Sequence, residues 1–77
     1  MEDRLYEMLA ELRPEFDFKS SDDFVEDGYL DSFDVVTLIS EIEEEFNVLV
    51  DGLDVLPENF SSVNAMIKLI EKSGAGA

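Results

Sequence analysis

Asp27-Gly28-Tyr29-Leu30-Asp31-Ser32-Phe33-Asp34, with Val35-Val36-Thr37-Leu38-Ile39-Ser40-Glu41-Ile42-Glu43-Glu44-Glu45-Phe46 behind it, is where the chain turns from aperiodic to helical. Upstream of Asp31 the apolar residues keep no spacing. Downstream, with Val35 as origin and about 100° per residue, Leu38, Ile39, Ile42 and Phe46 fall within about 60° of it, the apolar stripe of a helix. Asp31 or Ser32 can cap that helix, because a short oxygen-bearing side chain accepts from the N–H groups left free in the first turn. Two apolar residues miss the stripe: Val36 lies near ~100° and Phe33 near ~160°, beside Ser40, Glu43 and Glu44. The helix therefore carries an apolar pair on its solvent side, within an acidic surround.

Before this stretch, Pro14 to Leu30 holds Phe16, Phe18, Phe24, Val25, Tyr29 and Leu30 scattered among polar residues. A connection this long is unusual in a small domain, and its aromatics place it across the core. Further upstream, Leu5, Met8, Leu9 and Leu12 mark one face of a first helix, with Glu2 and Asp3 at its positive end. Arg13 suits the negative end, and Pro14 stops the helix. After Phe46, Asp51-Gly52 reads as a turn and Pro57 as a helix start or boundary, with Glu58-Asn59-Phe60 as one short turn. Ser61 or Ser62 caps a last helix carrying Val63, Met66, Ile67 and Ile70, and Gly74 ends it. The expected architecture is all-α, a small bundle of three main helices plus one short helix, with a long loop between the first and second. Residues 1–73 are expected to form a single domain, with 74–77 as a flexible tail.

Twenty acidic residues against five basic ones give the 77-residue chain a formal net charge of −15. Such a chain repels nucleic-acid phosphates and anionic lipid, so neither is an expected partner. There is no cysteine and no histidine. That removes disulfides, thiolate nucleophiles, the commonest general base and the commonest metal ligands. No apolar run approaches the ~20 residues of a membrane span, and Met1 to Leu12 does not read as a basic region followed by an apolar stretch. A cytoplasmic monomer is expected, with no specific metal site.

These residues do little chemistry unaided. A serine nucleophile needs an adjacent base, and the lysines offer Ser-Lys pairing no local support. The chain is not expected to be an enzyme. Ser32, however, stands where the long loop meets a helix N-terminus. A phosphate ester there would face free N–H groups and the positive end of the helix dipole. The bland alternative makes Ser32 no more than part of the cap.

The sequence resembles the acyl carrier proteins and their peptidyl and D-alanyl relatives, from about Met1 to Lys72. Asp31-Ser32-Phe33-Asp34 is similar to the family's Asp-Ser-Leu attachment motif, and Leu38 to Phe46 to its acidic second helix, closing on Glu-Glu-Glu-Phe. A Ser-Val-led final helix completes the likeness. The resemblance implies that Ser32, flanked by Asp31, Phe33 and Asp34, carries a 4'-phosphopantetheine arm derived from coenzyme A. The arm's thiol then holds an acyl or aminoacyl group as a thioester. A chain with no thiol of its own must import one, and a chain with no base must have Ser32 activated by a partner. The implied partners are a phosphopantetheinyl transferase, an acyl- or aminoacyl-loading enzyme and a downstream synthase or transferase. Phe33 replaces the usual Leu, and Thr37 stands where many fatty-acid carriers have an acidic residue. Asp-Gly-x-Leu-Asp-Ser looks closer to stand-alone carriers of peptide, polyketide or D-alanine systems.

An apolar patch ringed by one sign of charge is a docking surface in which charge steers encounter and the apolar centre anchors. Phe33, Val36, Thr37, Ser40, Glu43 and Glu44 are expected to form it, and the resemblance points the same way for Asp34, Val36, Glu43 and Glu44. The bland alternative is a solvated helix face. Two rival functions remain. Asp23 to Asp34 partly fits an EF-hand calcium loop, with Asp23, Asp27, Gly28, Asp31 and Asp34 in register. Val25 and the short Asp34 break the pattern, and no entering helix precedes it. The other rival is a non-catalytic helical adaptor.

Overall fold

The computed structural model of the chain describes residues 1–74. The expected tail residues Ala75, Gly76 and Ala77 lie outside them. Three α-helices carry the fold: α1 at Glu2–Leu12, α2 at Ser32–Phe46 and α3 at Val63–Lys72. Three short 3₁₀ turns, Phe18–Ser20, Gly52–Asp54 and Pro57–Phe60, punctuate the connections. Among the described residues there is no strand, and no helix is long and apolar enough to cross a membrane.

Each helix forms where its apolar spacing meets a local stop signal. Helix α1 buries Leu5, Met8 and Leu9 and ends at Arg13, whose N–H donates to Leu9 O just before Pro14. Helix α2 buries Val35, Leu38 and Ile42, while Ile39 and Phe46 of the same stripe are half-buried. It stops at Asn47, which takes the left-handed conformation (φ 55°) that asparagine tolerates better than most residues. Helix α3 is capped by Ser62, whose hydroxyl accepts from Ala65 N–H at 3.1 Å. It buries Val63, Met66 and Ile70 as its spacing requires, and also Leu69. Pro57 opens its 3₁₀ turn, and Phe60 at the end of that turn is fully buried.

The long connection from Pro14 to Leu30 is part of the core. Phe18, Phe24 and Leu30 are buried with the helix residues. Phe16 stacks on Tyr29 at 4.4 Å between ring centroids, and Phe18 meets Phe24 edge-on at 5.0 Å, geometries that add to plain area burial. Phe24 N–H donates to Ser61 O at 2.8 Å, which ties the loop to the start of α3. Phe24 O accepts from both Tyr29 and Leu30. Gly28, at φ 78°, makes that tight return possible, since a side chain there would strain the backbone. The loop is thereby drawn down so that it delivers Asp31 to the head of α2.

Three of the five cations, Arg4, Arg13 and Lys72, make ion pairs. Arg4 reaches Glu45 at 2.8 Å and Glu7 at 3.1 Å, tying α1 to α2. Lys72 reaches Asp54 at 2.7 Å. Lys19 lies over the Tyr6 ring, 5.3 Å from its centroid. These partly exposed pairs are worth little each, and the net −15, which already counts every cation, is left as self-repulsion. Raising ionic strength from about 10 to about 150 mM shortens the Debye length from ~30 to ~8 Å. Thermal scans over that range should show a rising midpoint, by roughly 4–8 °C for each kcal/mol of repulsion relieved. A flat midpoint would mean that the pairs already balance the field.

Candidate functional site

The head of α2 is built by a division of labour between neighbours. Asp31 is the cap: its Oδ1 accepts from Asp34 N–H at 2.9 Å, and Asp34 Oδ2 accepts in return from Asp31 N–H at 3.3 Å. This reciprocal capping box satisfies two backbone donors. It draws the Asp31 carboxyl below its ordinary value, first through the bond from Asp34 N–H and further through the nearby charge of Arg13. The Asp31 contribution to stability is therefore complete above the usual aspartate range and is lost as pH falls through the lowered value.

Ser32 is the first residue of the helix, exposed, and outside the cap. Among the described residues its hydroxyl takes part in no hydrogen bond, whereas the other serines are engaged or badly placed. Ser20, Ser21, Ser61 and Ser73 donate to Asp17 O, Asp27 Oδ2, Glu58 O and Leu69 O. Ser62 caps α3, and Ser40 lies in the middle of α2, where N–H groups are already paired. The Ser32 oxygen is thus a free hydroxyl at the positive end of a helix. Beside it opens a cavity of about 160 Å³, lined mainly by Val25, Leu30, Val35, Val55, Leu56 and Pro57.

The residues singled out beside Ser32 do not all share one surface. Phe33 and Val36 are 77% and 60% exposed, on the side of α2 away from the core. Ser40 and Glu44 are exposed, and Thr37 is half-exposed with its hydroxyl donating to Phe33 O at 3.2 Å. Glu43 is half-buried, and its carboxylate accepts from Val50 N–H at 2.9 Å, so it also anchors the segment after α2. Asp34 is not a surface residue at all. It is 4% exposed, turned inward to the capping box and to Arg13, whose Nη2 lies 2.9 Å from its Oδ2. Sequence reading placed Arg13 only at the end of α1. No periodicity reveals a partner across so long a loop, although an arginine before a proline facing an Asp-x-x-Asp cap would have been the signal to look for.

The carboxylates that an EF-hand needs are committed separately. Asp23 accepts from Val25 and Glu26 N–H, Asp27 accepts from Ser21, and Asp31 and Asp34 cap α2. In the Asp23–Asp34 stretch, Asp23 and Asp27 thus brace the loop while Asp31 and Asp34 cap the helix head.

Comparison with known proteins adds one positive finding. The family model described as "Phosphopantetheine attachment site" matches residues 3–70. No curated protein and no solved structure matches the chain. With nearly its whole length covered, and a free serine hydroxyl at the head of its second helix, the chain belongs to the phosphopantetheine-binding family, whose domains carry covalently attached 4'-phosphopantetheine.

Proposed function

We propose that residues 1–73 act as a carrier domain on which Ser32 holds the phosphopantetheine arm, and that an acyl or aminoacyl group rides on that arm between partner enzymes. The observation that carries this reading is the free Ser32 hydroxyl at the α2 N-terminus, beside a cap that does not need it. The surroundings fit the group. A phosphodiester on Ser32 would meet first-turn N–H groups, and apolar residues of the adjoining cavity suit the less polar stretches of an arm. When bound, the arm supplies the thiol that this chain lacks. Ser32 contributes the oxygen, α2 orients it, and the first turn offers its dipole to the negative charge.

Carrier domains are generally non-catalytic and work with a phosphopantetheinyl transferase and synthases. With no histidine on the chain, the base that takes the Ser32 proton belongs to the transferase. Phe33, Val36, Thr37, Ser40 and Glu44 are proposed as the docking face, apolar at its centre and acidic at its rim. Glu43 joins them with a second task at Val50.

The test is intact mass after incubation with coenzyme A, magnesium and a broad-specificity transferase. One added arm, mapped by peptide fragmentation to Ser32, is the expected result. An unmodified chain that binds calcium stoichiometrically would restore the EF-hand reading, and an unmodified chain that does not would leave an adaptor.

A further inference from the structure

An anionic donor approaching Ser32 meets the exposed Asp31, with the buried Asp34 behind it, and Arg13 is the cation that faces both. Its Nε and Nη2 lie 3.0 and 2.9 Å from the same Asp34 oxygen, and Nη2 lies 3.7 Å from Asp31 Oδ2. On the far side Nη1 lies 3.6 Å from Glu15. That Asp34 oxygen is also the one that accepts from Asp31 N–H. A continuous chain of contacts thus runs from the end of α1, through the buried Asp34 carboxylate, to the residue before Ser32. The cation is scarce on this chain and is not placed here by excess: Arg4, Lys19 and Lys72 are occupied elsewhere.

We propose that Arg13 is a positioning residue for arm transfer. It holds the first turn of α2 through Asp34 and neutralises the two carboxylates beside Ser32, so that a pyrophosphate donor meets helix N–H groups and not bare negative charge. The proposal rests on Ser32 being the attachment point. In the step concerned, the Ser32 oxygen forms a bond to the phosphorus of coenzyme A that bears the pantetheine. The bond from that phosphorus to the bridging pyrophosphate oxygen breaks, and its electron pair leaves with adenosine 3',5'-bisphosphate. The Ser32 proton passes to a base of the transferase. Arg13 touches none of the reacting atoms and acts through Asp34 and Asp31.

The experiment compares wild type, Arg13→Gln, Arg13→Lys and the double variant R13Q/D34N by arm-transfer kinetics at low and moderate salt, with a urea midpoint for each. Arg13→Gln should lose about tenfold or more in kcat/KM, a loss that added salt partly restores. Asn at 34 keeps an oxygen for Asp31 N–H but no charge, so the double variant should recover most of that loss. Arg13→Lys keeps the charge without the fork and should stay within about threefold of wild type. Should Arg13→Gln fail to fold, the lysine and double variants carry the test alone. Folded protein loading more than about tenfold slowly in either would overturn the proposal. A wild-type rate in Arg13→Gln would overturn it too, as would a loss that follows the folded fraction and ignores salt and D34N. Failure of the Ser32 reading looks different: wild type itself would take no arm, or take it at another residue.

Discussion

Ser32→Ala should take up no arm at all while keeping the urea midpoint of wild type. The loss is complete because the oxygen that forms the phosphoester is gone, and no other serine offers a free hydroxyl at a helix head. The fold survives because Asp31 and Asp34 make the cap between them, and alanine at the exposed first helical position removes no bond the cap needs. An exposed substitution away from caps and core normally moves stability by no more than about 0.5 kcal/mol. Intact mass and urea titration on the same preparation check both halves. An arm on Ser32→Ala protein would overturn the assignment of the site, and a large drop in midpoint would show that the serine also holds the fold.

Ile42→Ala and Val36→Ala should separate stability from docking on one helix. Ile42 is fully buried among the residues of α1, α3 and the aromatic loop. Its truncation should cost about 2–5 kcal/mol. A domain of this length holds only ~0.05–0.15 kcal/mol per residue, so that is a large share of the whole. Val36 is 60% exposed and should cost far less. It should nevertheless slow loading, since it stands at the centre of the proposed face. Transfer rates corrected for folded fraction, set beside urea midpoints, distinguish the two. If Val36→Ala destabilises as much as Ile42→Ala, the docking face has been put on the wrong side of α2.

How far the sequence alone reached follows from which interactions are local. The helix spans were readable because Leu5–Met8–Leu9, Val35–Leu38–Ile42 and Val63–Met66–Ile70 repeat at helical spacing, the first and last ending against Pro14 and Gly74, whereas the stop at Asn47 carried no such signal. The exposure of Phe33 and Val36 followed from the same wheel. Asp31 and Ser32 are both good caps on paper, and only the reach of Asp31 Oδ1 to Asp34 N–H decides between them. Asp34 looked like surface because aspartate usually is. Its burial depends on Arg13, brought to it by the folded path of Pro14–Leu30. Leu69 falls outside the spacing that marks the rest of α3, and its burial likewise needs the tertiary packing. The tie from Glu43 to Val50 is likewise non-local, joining a helical carboxylate to backbone beyond the helix end.

Because the cap belongs to Asp31, a substituent on the Ser32 oxygen leaves every folded-state hydrogen bond of the helix head in place. The unfolded chain would bear the same substituent. Only interactions that the substituent makes in the folded state and not in the unfolded one can shift the equilibrium between them. The attraction of the helix dipole for phosphate, ~0.3–1 kcal/mol, is set against the neighbouring Asp31 charge. On the proposed reading, apo and holo forms are expected to share the same capped helix head. On that expectation, a partner preferring one form would do so through contacts with the arm and its cargo, not through a rearranged bundle.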